Sequence, residues 1–260
     1  KANILSRQER LDELLEGQLI RFAFQPIVSL KDGAIYGYEA LMRSTTPHFA
    51  SPLDVLQLAE AQSKLPQLEY LTFRMIFDWM GKNFPSLGAR KIFFNAISAQ
   101  YLDARELRTM HPHYEDICRN MVFEIIETAS SEEGLAQKVR ELRTELAAFI
   151  AIDDFGCAHS NALRLLNISP EILKIDSFFI RAIHKAPASK REFLSNILVY
   201  CRSKGILTVA EGVETREELA SVVALGFDLA QGFYLARPEF ALQELTQSQI
   251  EEITALRRTV

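Results

Sequence analysis

The chain has 260 residues, of which 48% are hydrophobic, and 29 basic against 34 acidic side chains give it a formal charge of -5. This length and composition provide for one large hydrophobic core, so we expect a single main domain. A net negative charge opposes non-specific attraction of a long polyanion, which argues against duplex nucleic acid as a partner.

Cysteine spacing and hydropathy indicate the cellular location expected for this segment. Cys118, Cys157 and Cys201 lack the close paired spacing of a disulfide framework or a zinc knuckle, so we expect reduced thiols and a cytoplasmic location. The apolar runs are shorter than about 12 residues, well under the roughly 20 that cross a bilayer, and no signal peptide opens the chain. We therefore expect no membrane contact by this segment.

The first residues have the pattern of a linker. Charged residues at helical spacing predict a helix over residues 6–16. We expect residues 1–20 to form an N-terminal linker with this leading helix, and residues 21–260 to form the main domain. The hypothesis is a module of a longer protein, with a sensor or a diguanylate cyclase-like domain upstream in the same chain.

Strand-like and helix-like segments alternate from there on. Apolar β-rich runs predict strands at residues 22–30, 35–43, 91–98, 121–128, 149–156, 172–179, 207–214 and 229–236. Helical spacing occurs at residues 52–61, 68–80, 133–148, 191–204 and 216–225. This alternation predicts a parallel sheet, and the Asp-Gly pair at Asp32 and Gly33 predicts an antiparallel hairpin before it. The predicted fold class is α/β, a TIM-like (β/α)8 barrel with one antiparallel strand near the N-terminus.

Polar side chains fall at or near the ends of nearly all these strands. They are Glu39, Asn95, Glu124 with Glu127, Asp153 with Asp154, Lys174 with Asp176, Glu211 with Glu214, and Gln231. In a parallel barrel all such ends face one mouth. Carboxylates crowded into one mouth repel one another and are costly to bury ionised, so a cation is the expected partner.

The ligand types indicate which cation this is. Oxygen-only ligands suit Mg²⁺ or Mn²⁺ rather than zinc. The adjacent Asp153 and Asp154 favour two ions, and a pair roughly 3.5 to 4 Å apart is the usual apparatus for attack on a phosphodiester. Lys174 is a candidate to orient or help deprotonate the attacking water.

Several of these residues also have an ordinary structural interpretation. A single acid at a strand end is more often a helix cap or a solvated loop residue, and Asp176 and Glu214 stay open between ligand support and capping. His111 and His113 are expected in a loop without a metal role, because no acidic or cysteine partner follows them. Trp79 is expected in the core.

Motifs along most of the chain resemble those of the EAL phosphodiesterase family. The Glu39-Ala40-Leu41 triplet lies within YEALMR at residues 38–43. It is accompanied by FQPI at 24–27, FNAIS at 94–98, FEIIET at 123–128, IDDFG at 152–156, LKID at 173–176, AEGVET at 210–215 and QGFYLARP at 231–238. The resemblance implies a barrel with one reversed strand, hydrolysis of cyclic di-GMP to linear pGpG, two Mg²⁺ or Mn²⁺ ions and a homodimer.

The resemblance also implies roles by position. The implied metal ligands are Glu39, Asn95, Glu124, Asp153 and Asp154, with Asp153 bridging the two ions. The implied catalytic residues are Glu39, Asp154, Lys174 at the water nucleophile, Glu211 as candidate general base, and Gln231 as a positioning amide. The implied substrate-binding residues are Gln25, Leu41, Arg43, Asn95 and Arg237, where a guanidinium can pair with phosphate oxygens. Glu127 and Ser160 are implied supports of the loop after Asp154.

The sequence departs from the family pattern beside this predicted site. The family usually continues Thr-Gly-Tyr-Ser-Ser after its Asp-Phe-Gly, whereas residues 157–161 here are Cys-Ala-His-Ser-Asn, and Ser44 stands where tryptophan is common. An active phosphodiesterase is favoured because every candidate ligand and Lys174 is present. Two alternatives stay open: a receptor that binds cyclic di-GMP without hydrolysing it, and an interaction or scaffold domain without ligand.

Overall fold

The computed structural model describes residues 7–96, 104–125, 132–156 and 161–259. In this described part, the strands close into a barrel in the order in which they follow one another along the chain. They are β1 (Ile20–Ser29), β2 (Ile35–Ser44), β3 (Lys91–Ala96), β4 (Met121–Ile125), β5 (Phe149–Phe155), β6 (Ile172–Ile175), β7 (Leu207–Ala210) and β8 (Leu229–Ala230). The predicted α/β barrel is therefore confirmed.

The reversed strand is β1. It pairs antiparallel with β2 on one side and with β8 on the other, while β2 through β8 pair in parallel. The hairpin between β1 and β2 turns at Gly33, whose φ of +74° is a conformation that glycine adopts without strain. The Asp32 side chain accepts a hydrogen bond from the Ala34 N–H at 3.1 Å. The Asp-Gly pair thus forms the predicted hairpin.

Helices surround the barrel. They are α1 (Arg7–Glu16), α2 (Pro52–Ala61), α3 (Leu65–Leu87), α4 (Ala104–Met110), α5 (Tyr114–Arg119), α6 (Glu132–Leu146), α7 (Asn161–Ile168), α8 (Ser177–Ile180), α9 (Ala188–Lys204), α10 (Arg216–Leu225) and α11 (Gln247–Arg258), with a 3-10 helix at Ile183–Lys185. Leu11 and Leu14 of α1 are fully buried in a cluster with Val55 and Leu68, so this helix packs against α2 and α3. Among the described helices, none has the length and apolar character needed to cross a membrane.

The barrel interior contains two layers of side chains, an apolar layer and, closer to the mouth, a polar layer. Its apolar layer consists of Ile27, Phe93, Val122, Ala151, Ile172, Val209 and Leu229. Side chains on a strand alternate between its two faces, so the residue two positions closer to the mouth also points inward. These positions hold Gln25, Asn95, Glu124, Asp153, Lys174, Glu211 and Gln231. The sequence period therefore places a polar layer directly on the apolar one.

Several predicted strands are longer than the observed ones. The predicted strand over residues 172–179 ends at Ile175, because Asp176 caps α8 by accepting a hydrogen bond from the Phe178 N–H. The strand predicted over residues 207–214 ends at Ala210, since Gly212 turns the chain with a φ of +66°. The run over residues 229–236 continues as a strand only to Ala230. The predicted ends at 97–98 and 126–128 lie outside the described residues.

Other side chains have packing roles. Asp176 is a helix cap, one of its two expected interpretations, and the Glu214 carboxylate pairs with Arg181 at 3.0 Å. His113 lies between α4 and α5, and its ring stacks on Phe84 of α3. His111 lies two residues before His113 in the chain, and its Nε2 is 3.3 Å from Asp78. The Trp79 ring stacks on Phe24 at a centroid distance of 4.2 Å.

Candidate functional site

The centre of the polar layer is the ammonium group of Lys174. Its Nζ lies 2.6 Å from Glu124, 2.8 Å from Asp153, 2.8 Å from Glu211 and 3.7 Å from Glu39. The Lys174 side chain is only 1% exposed, and Glu124 is fully buried. A buried charge requires charged partners of this kind. We call these four acids with Lys174 the acidic ring.

The acidic ring has more negative groups than its single lysine can balance. Burial, opposed by the Lys174 charge, raises the pKa of Glu124 well above its usual range, and the pKa of Glu211 is raised for the same reasons. Burial alone would lower the pKa of Lys174, but the carboxylates led by Asp153 hold it well above its usual value. A further cation at this position would relieve the remaining repulsion.

Asp154 lies beside the acidic ring on a β-bulge. The register between β5 and β6 shifts between Ile152 and Phe155, and Asp154 has a φ of +52°, which Asp tolerates better than most residues. Carboxylate oxygens of Asp153, Asp154 and Glu211 lie within 4.8 Å of one another. Desolvation and the neighbouring Asp153 charge raise the pKa of Asp154 to about 6. The bulge thus turns two consecutive carboxylates toward one place.

Glycine after the bulge allows a close contact. Gly156 has a φ of +111°, and a Cβ there would lie 2.0 Å from the Phe179 ring. A side chain at this position would therefore be both strained and in collision. Phe179 in this way packs directly against the chain that leaves Asp154.

Two glutamines connect the ring to the neighbouring strands. Gln231 Nε2 donates to Glu39 Oε2 at 2.6 Å and lies 3.2 Å from Gln25 Oε1. Gln25 stands directly opposite Glu39 across the antiparallel pair, and its Nε2 donates to the Ala236 carbonyl at 3.0 Å. Gln231 therefore holds the Glu39 carboxylate, and Gln25 connects Gln231 to the backbone at Ala236.

The donor set fits a hard divalent cation. Among the described residues, the buried Glu124 Oε2 and Gln231 Oε1 have no hydrogen-bond partner. Buried polar atoms are rarely left without one, and each costs about 1 to 3 kcal/mol unless a ligand compensates. Carboxylate and amide oxygens are the ligands that Mg²⁺, Mn²⁺ and Ca²⁺ prefer.

The predicted substrate residues lie around the mouth rather than in the ring. Leu41, Arg43 and Asn95 line a cavity of about 170 Å³ at the ends of β2 and β3. Asn95 also pairs in register with Glu124, which places it next to the ring. Arg237 is exposed, with its guanidinium carbon 4.3 Å above the Phe233 ring. The predicted loop supports Glu127 and Ser160 lie outside the described residues.

Sequence reasoning missed a carboxylate that supports the loops around the ring. Glu218 on α10 is 4% exposed and accepts hydrogen bonds from the N–H groups of Ala182, Glu214 and Thr215 at 2.8, 2.9 and 3.2 Å. It therefore ties the loop after β6 to the loop after β7, which begins at Glu211. The Thr-x-x-Glu capping-box pattern marks half of this arrangement in the sequence, but not the link to Ala182.

Curated relatives of this chain include cyclic di-GMP phosphodiesterases. It is 26% identical over 247 residues to the cyclic di-GMP phosphodiesterase PdeF of Escherichia coli, covering 94% of this chain and 33% of that protein. It is 29% identical over 227 residues to the cyclic di-GMP phosphodiesterase RocR of Pseudomonas aeruginosa, covering 83% and 56%. The chain thus spans about a third of PdeF and just over half of RocR.

Solved structures with the same fold include complexes with the dinucleotide. The EAL domain of Xanthomonas citri FimX bound to c-diGMP superposes with a TM-score of 0.80 at 18% identity, covering 92% of this chain and 96% of that one. Klebsiella pneumoniae BlrP1, in a manganese and c-diGMP complex, has a TM-score of 0.74 at 26% identity, with coverages of 88% and 58%. The model of the EAL domain matches residues 8–238, so the chain belongs to the EAL domain family.

Proposed function

We propose that this domain is a metal-dependent phosphodiesterase that hydrolyses cyclic di-GMP to linear pGpG. The observation that carries the proposal is the acidic ring. Four carboxylates surround one buried ammonium, and a buried Glu124 oxygen has no hydrogen-bond partner among the described residues. Family membership and the relatives' activities support the same reaction.

The cofactor we propose is a pair of Mg²⁺ or Mn²⁺ ions. Glu39, Asn95, Glu124 and Asp153 would hold the first, and Asp153 with Asp154 the second. When bound, such ions neutralise charge on the phosphoryl oxygens and lower the pKa of water. The manganese in the BlrP1 complex, and the calcium in another complex of the same protein, agree with an oxygen-ligand site.

Protein groups would then hold the water and the substrate. Lys174 would hold the attacking water once bound metal ions compete for the carboxylates that its ammonium contacts. Glu211 is the proposed general base, because burial raises the pKa of its carboxyl and because its carboxylate lies within 4.8 Å of those of Asp153 and Asp154. Gln231 would fix the Glu39 carboxylate.

Substrate recognition is proposed for the residues around the mouth. Arg43 and Arg237 supply guanidinium groups that suit phosphate oxygens. The apolar side of the cavity, formed by Phe22, Leu41 and Leu56, suits the face of a purine base. Gln25 would add an amide beside Glu39.

The setting of the domain also remains a proposal. Because the chain spans about a third of PdeF, we propose that it is the output module of a longer signalling protein, in the cytoplasm. Residues 1–20 would link it to an upstream sensor or diguanylate cyclase-like domain, and two copies would form a homodimer.

The test is direct. Purified protein is incubated with cyclic di-GMP and Mg²⁺ or Mn²⁺, and pGpG is sought by chromatography, with a chelator as control. The proposal predicts pGpG with either ion and none with the chelator. Absence of product from both metal reactions would refute it.

A second candidate, a receptor that does not hydrolyse its ligand, is favoured by one observation. Residues 157–161 differ from the family pattern immediately after Asp153 and Asp154. Calorimetric titration with cyclic di-GMP separates the two candidates. Binding without pGpG would identify a receptor, whereas loss of both would leave the interaction or scaffold domain.

A further inference from the structure

Three glutamines hold the loop that follows β8. We name residues 231–238 the β8 loop and residues 243–258 the C-terminal strap. Three consecutive carbonyls of the β8 loop each accept a side-chain amide: Leu235 from Gln249 at 2.7 Å, Ala236 from Gln25 at 3.0 Å, and Arg237 from Gln243 at 2.6 Å. Two of these donors belong to the C-terminal strap, and the third belongs to the site.

The C-terminal strap is itself fixed to the barrel. Ile253 on α11 is fully buried. The Glu252 carboxylate accepts hydrogen bonds from Tyr234 at 3.1 and 3.2 Å and from Arg216 at 2.8 Å. The Gln243 carbonyl accepts a hydrogen bond from the Tyr38 hydroxyl at 2.9 Å. A strap anchored at both ends can hold the loop in one place.

The hydrogen bonds continue from the β8 loop into the acidic ring. Gln25 connects the Ala236 carbonyl to Gln231, which in turn donates to Glu39. Arg237, the proposed phosphate-binding residue, lies in the same loop. The C-terminal strap lies beyond residues 8–238, the part that matches the EAL model. The loop therefore lies between the strap and the site.

We propose that Gln249 is a positioning residue for substrate binding. By holding the Leu235 carbonyl, it sets the place of Arg237 and, through Ala236, of Gln25. The inference rests on the proposed function, because the effect is exerted on binding of cyclic di-GMP. The C-terminal strap would thus act on the site through the β8 loop rather than by contacting the substrate.

Gln249 has two separable functions in the structure. Its Oε1 accepts hydrogen bonds from the N–H and the hydroxyl of Thr246, both at 2.9 Å, and so caps α11. Its Nε2 donates to Leu235. Glutamate is the usual residue at this capping-box position, so Gln249→Glu keeps the cap, removes the donor to the loop and places a carboxylate oxygen opposite the Leu235 carbonyl.

The helix also offers a matched control. Gln247 is exposed on α11, and its Nε2 donates to Glu251 at 3.0 Å. Gln247→Glu makes the same change of charge on the same helix without touching the β8 loop. We expect Gln249→Glu to raise the KM for cyclic di-GMP about threefold to tenfold, the effect of one lost hydrogen bond, and to change kcat less than about twofold. Gln247→Glu should leave both constants as in wild type.

A measurement without turnover makes the test independent of the proposed activity. The N–H groups of Leu235 and Ala236 both donate to the Gly232 carbonyl at 3.1 Å. In Gln249→Glu these amides should exchange with deuterium faster than in wild type and in Gln247→Glu, while the melting temperature falls by no more than about 5 °C. Cyclic di-GMP affinity measured by calorimetry with Ca²⁺, an ion present in a BlrP1 complex, should fall by the same factor as KM rises.

The outcomes are distinguishable. Unchanged exchange of the loop amides in Gln249→Glu would overturn the inference, as would faster exchange with wild-type KM and affinity. A wild-type protein that binds cyclic di-GMP but makes no pGpG would refute the proposed activity alone, and affinity and exchange would still decide the role of Gln249. If wild-type protein does not bind the dinucleotide at all, both the proposed function and the inference fail.

Discussion

Replacement of Lys174 tests how the barrel tolerates its acidic ring. In the metal-free protein, the Lys174 ammonium is the charge that lies among Glu39, Glu124, Asp153 and Glu211. Lys174→Met keeps much of the side-chain volume and removes the charge. Four carboxylates are then left together, with Glu124 fully buried.

The expected loss follows from the burial of these charges. Replacing a whole buried ion pair by apolar groups is often neutral, but removing one partner typically costs about 3 to 5 kcal/mol because it leaves an unpaired buried charge. Glu124 can take up a proton to limit this loss, as its raised pKa indicates. For a chain of this size, the lower figure corresponds to a decrease of roughly 10 °C in melting temperature.

Thermal and urea unfolding of the metal-free proteins at pH 8 measures this effect. Lys82→Met is the control, because Lys82 is 69% exposed and, within the described part of the chain, pairs with Asp78 alone on the surface of the same helix. That variant should remain within about 0.5 kcal/mol of wild type. We also expect Lys174→Met to make no pGpG. If Lys174→Met is as stable as wild type, the burial and charge argument for the acidic ring is wrong.

Two further substitutions test the loops around the ring. Burial raises the pKa of Glu218, but its backbone N–H donors together lower the pKa by more than burial raises it. The net pKa therefore lies below its usual value. Glu218→Gln should therefore cost roughly 2 kcal/mol at pH 7. This difference from wild type should shrink as pH falls from 4.5, where Glu218 of the unfolded chain takes up a proton, through the lowered pKa of Glu218 in the folded protein. Urea unfolding at several pH values checks this, and a difference independent of pH would contradict it. Gly156→Ala combines a positive φ with a collision against Phe179, whereas a Cβ on Gly205, whose φ is +70°, meets nothing within 4 Å. We expect Gly205→Ala to cost about 1 kcal/mol and Gly156→Ala clearly more, with loss of pGpG formation only in the latter; equal costs would show that the Phe179 contact is unimportant.

The fold was predictable because the pattern of this chain is regular. Apolar runs of strand length alternate with helical segments, and the two observed helices at Pro52–Ala61 and Arg216–Leu225 have the predicted bounds. Each begins with a capping box that the sequence displays. Strand ends were less predictable, since Phe178 and Phe179 continue the apolar run after β6 although Asp176 has already started a helix.

The site was predictable as a set of acids but not as a geometry. Period-two spacing from Val122 to Glu124, or from Ile172 to Lys174, indicates which side chains point into the barrel. Which carboxylates reach Lys174 depends on the stagger between strands, and the composition of the strands does not specify it. The amide contacts of Gln249 and the Ala182 contact of Glu218 join segments distant in sequence, so no local pattern marks them.

The most direct test of the proposed function compares wild type with Glu39→Ala in one assay. Glu39 faces Lys174 and is held by Gln231, and we propose it as a ligand of the first metal. With cyclic di-GMP and Mn²⁺, wild type should yield pGpG and folded Glu39→Ala should yield none, because the first metal loses a ligand. Equal pGpG formation by the two proteins, or none from wild type with either Mn²⁺ or Mg²⁺, would contradict the assignment of the acidic ring as the catalytic centre.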